Sequence, residues 1–269
     1  MSSTTKALEL LSHFSAARPE IGLSQMCRLA KRDKATTYRH LTALETSGFV
    51  EQNQETRQYR LGPALLQLGR VRELTVPREA GAEAAMTRLA DVTGETAHVS
   101  VLSGTTLYAL ASKESPRHST RAIIDIDTFP LHATASGLCA LAFGPEALLD
   151  NASMNLKQFT ATTPATPDAL HQAVGRAREV GFGQSDGQFE TEVHSISAPL
   201  FDGSGHFVGA VTVAGVASRL DAALERLIKE GLVQASRDIT RNWGGQIPAE
   251  IERTWAENLA TTARLDTVT

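Results

Sequence analysis

The chain has 269 residues, of which 42% are hydrophobic and 21% charged, and its formal net charge is −4. This length suggests two domains or one large one, and no stretch reaches the roughly 18 unbroken apolar residues of a membrane span. The opening MSSTTKALELLSHF lacks the basic-then-apolar order of a signal peptide, so a cytoplasmic protein without membrane contact is expected.

Two short helices are predicted at the start of the chain. Leu8, Leu11 and Phe14 recur at helical spacing before a break that ends at Gly22. Ser24 then precedes the apolar side of QMCRLA, where its hydroxyl is expected to cap a second helix.

A third helix follows the charged turn KRDK. Thr37, Leu41 and Leu44 form its predicted buried side, and Gly48 suits the position just after its end. The side chains expected to point outward are Thr36, Arg39, His40 and Ala43. A short helix, a tight turn and a second helix with a basic outer face are typical of a helix-turn-helix motif, whose second helix enters the major groove.

The segment FVEQNQETRQYRLG predicts two short strands, 49–50 and 59–61, which form a wing. Arg57 and Arg60 would lie beside a duplex and displace counterions from it. The candidate contacts to double-stranded DNA are Ser24, Lys34, Thr36, Thr37, Tyr38, Arg39, His40, Arg57 and Arg60. Within this set, Thr36 and Arg39 are candidates for base contacts, and Tyr38 and His40 for phosphate contacts or packing.

The charge balance agrees with a DNA-contacting N-terminal region. Residues 1–75 contain eleven Lys and Arg against seven Asp and Glu, a balance of +4, whereas the remainder has a balance of −8. A basic quarter on an acidic protein favours a nucleic-acid contact region attached to a domain with another role. A solvated basic face is the alternative.

A connecting helix is predicted over 63–76. Leu65, Leu66, Leu68 and Val71 form its apolar stripe, which is expected to pack against a partner chain as well, and Pro77 marks a boundary.

The remaining elements predict an α+β domain in which helices pack on an antiparallel sheet. Hairpins are expected around Ser103-Gly104 and around the turn DGSG. Helices are expected over 78–94, 136–149 and 167–180, followed by a long one that aligns Leu220 with Ile239. In the helix over 78–94, the inward residues are expected to be Ala80, Ala84, Met86, Leu89 and Ala90.

The last segment has apolar residues at every fourth position. Ile247, Ile251 and Trp255 predict a short additional helix before a loose terminus. The predicted organisation is thus a winged helix-turn-helix domain (1–62), a linker helix (63–76), an α+β domain (77–243) and a C-terminal tail (244–269).

One block of the sequence contains KALELLSHFS, LSQMCRLAKRDKATTYRHLTALETSGFVEQ and YRLGPALLQLG, and a second, distant block contains PLHATASGLCALAF, REVGFGQSDGQFE and SISAPLFDGSGHFVGAVTVAGVASRL. In this order the two blocks resemble the isocitrate-lyase-regulator (IclR) family of bacterial transcription factors. The resemblance implies a GAF-like effector domain and a homodimer or homotetramer that binds a palindromic operator and senses a small organic acid. It also implies a role in transcription, with repression of a catabolic operon as the expectation.

The resemblance also implies where the effector would bind. The candidate ligand-binding residues are His118, Arg121, Phe129, Ala135, Ser136, Ser185, Asp186, Ser195, Thr212 and Ala214. Small-acid sensors of the family often place an Asp and a Cys where this chain has Ser185 and Ser195, and a serine where it has Ala214. Arg121 could hold a carboxylate by two parallel hydrogen bonds, and Phe129 adds an aromatic wall. The favoured ligand is therefore a carboxylate larger than pyruvate, with an aromatic acid as the leading candidate.

Other interpretations of these residues remain open. Arg121 could be a surface residue, and Ser195 and Thr212 could satisfy neighbouring backbone groups. His194 and Ser195 are adjacent on a strand and so point to opposite faces, and no G-x-S-x-G turn is present, so no enzyme is expected.

No cofactor or metal is indicated either. The eight histidines lack the H-x-x-x-H and H-E-x-x-H spacings, and the two cysteines have no C-x-x-C spacing. The alternative function is a small-molecule-binding protein whose winged helix contacts a protein rather than DNA.

Overall fold

The computed structural model describes residues 2–15 and 17–265. The chain divides into two compact units, the first ending at Pro77 and the second beginning at Arg78. Each unit has its own buried apolar cluster. Within the described residues, no helix combines the length and the apolar character that crossing a membrane would require.

The first unit is a winged helix-turn-helix. Its helices and strands are α1 (Ser3–Leu8), a 3-10 turn (Glu9–His13), β1 (Glu20–Gly22), α2 (Leu23–Ala30), α3 (Lys34–Thr46), β2 (Val50–Gln52), β3 (Gln58–Leu61) and α4 (Pro63–Thr75). The three strands form an antiparallel sheet in the order β1-β3-β2. The predicted wing and linker helix are confirmed, and β1 is an additional strand that pairs with the far side of β3.

Two helix ends of this unit differ from the prediction. The first helix ends at Leu8, is followed by the 3-10 turn, and leaves Phe14 extended. Ser24 does not cap α2, because Gly22 is still extended and paired with Gln58 in the sheet, so the helix begins at Leu23. The next helix, α3, does have a side-chain cap, because the carboxylate of Asp33 accepts from the amide of Thr36 at 2.8 Å. Gly48 follows α3 with φ +71°, as predicted for a residue just after a helix end.

Burial confirms most of the predicted α3 face. Thr37, Leu41 and Leu44 are buried as expected. His40 was expected to point outward, and this is wrong: it is buried, and its Nε2 lies 3.2 Å from the hydroxyl of Ser3. Leu8 was placed on the apolar side of the first helix but is exposed.

The second unit is an antiparallel sheet covered by helices. Its elements are α5 (Arg78–Thr93), β4 (Thr96–Ser103), β5 (Thr106–Lys113), α6 (Ala135–Phe143), α7 (Ala147–Ser153), α8 (Pro167–Val180), β6 (Gly183–Asp186), β7 (Val193–Phe201), β8 (Phe207–Val216), α9 (Ala222–Asn242) and α10 (Ala249–Leu265). The strand order is β5-β4-β8-β7-β6. Helices α5 and α9 pack on the sheet and on each other, and α6 packs on β6, β7 and β8.

Both predicted hairpins are confirmed as β4–β5 and β7–β8. The helix expected over 136–149 is two helices, because Gly144 ends α6 and Pro145 disfavours a helical conformation before it. Strand β6 was not predicted. Leu220 precedes α9 rather than belonging to it.

The inward face of α5 was predicted only in part. Met86, Leu89 and Ala90 are buried, but Ala80 and Ala84 are exposed, so that assignment is wrong. Which side of α5 faces inward is set by its packing against α9. The two helices are so close that a Cβ added to Gly231 of α9 would lie 2.9 Å from Leu89 Cδ2 of α5.

The C-terminal segment contains a longer helix than the short one predicted. Helix α10 has 17 residues. Trp255 on this helix is 1% exposed, and its indole nitrogen donates to the carbonyl of Gly181 at 2.7 Å. The loose terminus expected after this helix lies outside the described residues from 266 onward.

Candidate nucleic-acid interface and effector cavity

The exposed start of α3 forms the candidate DNA surface. Lys34, Tyr38 and Arg39 are exposed there, and Thr36 is half-buried. These four side chains follow the turn that Asp33 caps. A basic, partly polar helix end of this kind has the donors and acceptors that major-groove base edges require.

Two predicted contact residues belong to the interior of this unit instead. Thr37 is buried and its hydroxyl donates to the carbonyl of Asp33 at 2.8 Å. Burial is the largest cause of a lowered pKa at His40, followed by the positive charges of Arg32 and Arg39. A buried neutral imidazole in this position packs the helix against α1 rather than neutralising a phosphate.

The basic residues of the region differ in how far their charge is already compensated. Arg60 donates from Nε to Glu51 Oε1 at 2.6 Å, whereas Arg57 is at the wing tip with φ +58° and is exposed. Arg32 is ion-paired with Glu9. Of these arginines, Arg57 has the side chain best placed to meet a phosphate.

A cavity of about 630 Å³, its open mouth included, lies in the second unit. It is bounded by the start of α6, by strands β4, β6, β7 and β8, and by the segment 122–129. The predicted ligand-binding residues that line it are Phe129, Ala135, Ser136, Ser185, Ser195, Thr212 and Ala214. Seven residues far apart in sequence therefore surround one space.

Three predicted ligand-binding residues are outside this lining. Arg121 is ion-paired with Glu114. Asp186 has a side chain that is 79% exposed, with a carboxylate oxygen 3.5 Å from His194 Nδ1. His118 is half-buried elsewhere. The expected guanidinium anchor for a carboxylate is thus absent from the cavity wall.

Several lining hydroxyls already have protein partners. Ser185 donates to the carbonyl of Ala133 at 3.1 Å, and the hydroxyls of Thr212 and Ser197 lie 2.9 Å apart. Thr134 accepts from the amide of Gly137 at 3.1 Å and so caps α6. These bonds hold the polar wall in one arrangement.

His98 lines the same cavity and was not predicted. It is 3% exposed, and neither ring nitrogen has a hydrogen-bond partner among the described residues. Its ring stacks on Phe129 with centroids 4.9 Å apart. Burial lowers the pKa of His98 to about 3, so the imidazole is neutral at physiological pH. The alternation in TAHVSVL predicted only a strand of the hairpin around Ser103-Gly104, and nothing in it could show that the ring would lack a partner.

The remaining wall is apolar with two acidic groups. Ile123, Ile124, Ile126 and Phe189 contribute to the apolar part. Asp125 and Glu190 are the carboxylates, and no Lys or Arg occurs in the described lining. An anion entering the cavity would therefore depend on backbone amides and hydroxyls.

The described residues contain no group of three His, Cys, Asp or Glu side chains suited to a metal ion. In the pairing of β6 with β7, His194 is opposite Asp186 and Ser195 is opposite Ser185. Successive strand residues point to opposite faces, so the imidazole cannot activate that hydroxyl.

Comparisons with known proteins agree with both units. Residues 3–54 match the IclR helix-turn-helix domain, and residues 77–241 match the C-terminal domain of the bacterial transcriptional regulator IclR. The glycerol operon regulatory protein of Streptomyces coelicolor is 30% identical over 245 residues, which is 89% of this chain and 93% of that protein. The transcriptional regulator XynR of Escherichia coli is 28% identical over 245 residues, 90% of this chain and 97% of that protein.

Solved structures share the whole fold. One is the crystal structure of a protein assigned to the IclR transcriptional regulators, from Silicibacter sp. TM1040. It is similar to this chain with a TM-score of 0.87 and 37% identity, and the match covers 93% of this chain and 99% of that chain. Another is the structure of an IclR homolog from Microbacterium hydrocarbonoxydans complexed with 4-hydroxybenzoate. Its TM-score is 0.71 at 21% identity, and the match covers 89% of this chain and 100% of that chain.

A winged helix-turn-helix attached to an effector-binding domain defines a ligand-responsive, DNA-binding transcriptional regulator. The matches over both units place this chain in that class, and its relatives are regulators rather than enzymes. The chain belongs to the IclR family, which confirms the resemblance noted in its sequence.

Proposed function

We propose that this protein represses a catabolic operon and releases its operator when a small organic acid with an apolar, aromatic body occupies the cavity. The proposal rests on one observation: the N-terminus of α6 forms part of the wall of a largely apolar cavity. The first amides of an α-helix lack carbonyl partners within the helix and favour an anion. At α6, Thr134 satisfies the amide of Gly137, and Ala135 and Ser136 belong to the cavity wall.

The apolar wall supports an aromatic body for this acid. Phe129 and Phe189 line the cavity together with three isoleucines. Flat apolar surfaces favour a ring over a short, fully polar acid, because burial of apolar area stabilises the complex. The acid group would sit at the start of α6 and the ring along these side chains.

Thermal unfolding with a panel of acids tests this proposal. A ligand of the native state raises the melting temperature by mass action. The panel contains benzoate, 4-hydroxybenzoate, pyruvate and succinate, because the Microbacterium protein of the same fold is complexed with 4-hydroxybenzoate. We expect a shift from the aromatic acids; a shift confined to pyruvate would contradict the aromatic assignment.

DNA binding is tested on the protein's own upstream region and on a random duplex. Arg39→Ala should weaken operator binding about 10- to 100-fold, and Arg176→Ala, at an exposed arginine on α8, should change it less than about twofold. An affinity for both duplexes that does not fall with salt would instead favour the protein-contact alternative. Transcription from the bound promoter, with and without the acid, tests repression.

A homodimer or homotetramer is part of the proposal. The apolar residues Leu66, Leu68, Val71 and Leu74 on α4 are exposed, Leu74 at 84%. Leu68, Val71 and Leu74 follow one another at intervals of three residues and so share one side of the helix; an exposed apolar stripe of this kind favours burial against another chain, and a two-fold assembly would match a palindromic operator. Light scattering should give a multiple of 28.8 kDa, and Leu68→Glu with Leu74→Glu should lower it.

A further inference from the structure

His98 is an exception among the polar side chains of β4. Thr96 donates to the carbonyl of Ala122 at 2.6 Å and Ser100 to the carbonyl of Ala210 at 3.4 Å. Both nitrogens of His98 are without a partner among the described residues, although the side chain is 3% exposed. Buried polar groups in native proteins are nearly always hydrogen-bonded, and leaving one unpaired destabilises the fold.

The position of the ring indicates where a partner would come from. His98 lines the cavity, and stacking on Phe129 at an interplanar angle of 11° holds it there. A neutral imidazole has one N–H donor and one nitrogen acceptor. An effector in the cavity can therefore satisfy a group that the protein leaves unpaired.

The charges around the cavity restrict the chemistry of that partner. Asp125 and Glu190 are in the lining, and the described lining has no Lys or Arg. Both carboxylate residues are exposed to solvent, so the cost to a second carboxylate on the effector is the loss of its hydration beside His98, with no cation in the described lining to compensate. A hydroxyl has no such cost and can donate to the ring or accept from it.

We infer that His98 makes this regulator selective for effectors that carry an uncharged hydroxyl in addition to the carboxylate, by hydrogen-bonding that hydroxyl. The inference rests on the proposed binding of an organic acid in the same cavity. The carboxylate lies at the start of α6, and the hydroxyl lies across the cavity at β4. A site built to bond a hydroxyl discriminates strongly against the analogue without it, because its buried polar group then stays unpaired.

Calorimetric titration of the full-length protein tests the inference. The ligands are benzoate, 3-hydroxybenzoate, 4-hydroxybenzoate and the uncharged 4-hydroxybenzamide. The test variant is His98→Phe, which keeps an aromatic ring against Phe129 and removes both nitrogens. The control variant is Ser100→Ala, which removes a polar group of the same strand that already has a partner.

The wild type should bind one of the hydroxybenzoates at least about tenfold more tightly than benzoate. This preference should fall below about twofold in His98→Phe and persist in Ser100→Ala. Benzoate affinity itself should change little in His98→Phe. If that variant does not fold, His98→Leu replaces it, and its ligand-free melting temperature should equal or exceed that of the wild type because an unpaired group has been removed.

The possible results distinguish failure of the inference from failure of the proposed function. Equal affinity of the wild type for benzoate and both hydroxybenzoates contradicts the inference but agrees with an organic acid as the effector. Binding of 4-hydroxybenzamide as tight as that of the acids, lost in His98→Phe, contradicts the proposed acid and the carboxylate part of the inference, and supports only the hydrogen bond from His98 to the hydroxyl. A preference lost equally in Ser100→Ala, or no binding of any ligand, overturns the inference.

Discussion

The carboxylate of Glu95 accepts two hydrogen bonds from the guanidinium of Arg219, from Nε to Oε1 at 2.7 Å and from Nη2 to Oε2 at 2.6 Å. Glu95 is 1% exposed, and the hydrogen bonds to it raise the pKa of Arg219. The same guanidinium donates from Nη1 to the carbonyl of Thr120 at 3.0 Å. The pair therefore fixes the chain just before the segment 122–129 that closes the cavity.

Arg219→Ala should lower the free energy of unfolding of the second unit by about 3 kcal/mol, because it leaves the buried Glu95 charge unpaired. Urea unfolding followed by tryptophan fluorescence measures this, since Trp243 and Trp255, the two tryptophans of the chain, are both in that unit. The matched control is Arg121→Ala at the more exposed pair with Glu114, which should cost at most about 1 kcal/mol. Equal losses in the two variants would contradict this prediction.

Acid should destabilise the second unit partly through His98. Its pKa is lowered to about 3 in the folded protein and is about 6.5 unfolded, so only the unfolded chain gains the proton between these values. The stabilisation is present above pH 6.5 and is lost as the pH falls, by about 2 kcal/mol between pH 7 and pH 5. His98→Leu should remove this part of the slope. Parallel pH profiles for the variant and the wild type would show that His98 is charged or solvated in the native state.

The two wing arginines should differ in their effect on DNA binding. Arg57→Ala should reduce the slope of log affinity against log salt concentration by the amount expected for the loss of about one phosphate contact. Arg60→Ala should reduce it less, because Glu51 and Glu20 already lie 2.6 Å and 3.9 Å from the Arg60 guanidinium. Fluorescence anisotropy on a random duplex at several salt concentrations measures both slopes. A larger effect at Arg60 would mean that it leaves its carboxylate partners when DNA binds.

Trp255 should be the most sensitive position of the C-terminal helix. Trp255→Ala removes a buried indole that packs beside Phe182 and donates to Gly181, and should cost about 3 to 5 kcal/mol. Trp255→Phe, which loses the hydrogen bond but retains a ring, should cost about 1 to 2 kcal/mol. Circular dichroism during urea unfolding measures both variants. A loss below about 1 kcal/mol for Trp255→Ala would show that α10 is not needed to hold the fold together.

Local signals were sufficient for much of the fold. Helix α8 has its predicted bounds, because Pro167 suits a first helical turn and Gly181, at φ +79°, suits the end. The turns of both hairpins and the α3 terminus at Gly48 also depend on neighbours in sequence. Strand β6 has the polar sequence GQSD and no such signal, and it forms because β7 supplies partners for its backbone.

The sequence by itself determined the winged helix-turn-helix, the α+β second unit and the family, because these follow from apolar spacing, turn residues and extended blocks of similarity. It also identified seven of the residues around the cavity. Only the tertiary structure decided that Arg121 pairs with Glu114 and that His98 lines the cavity without a partner. Whether a buried polar group is paired depends on elements distant in sequence, which no local pattern encodes.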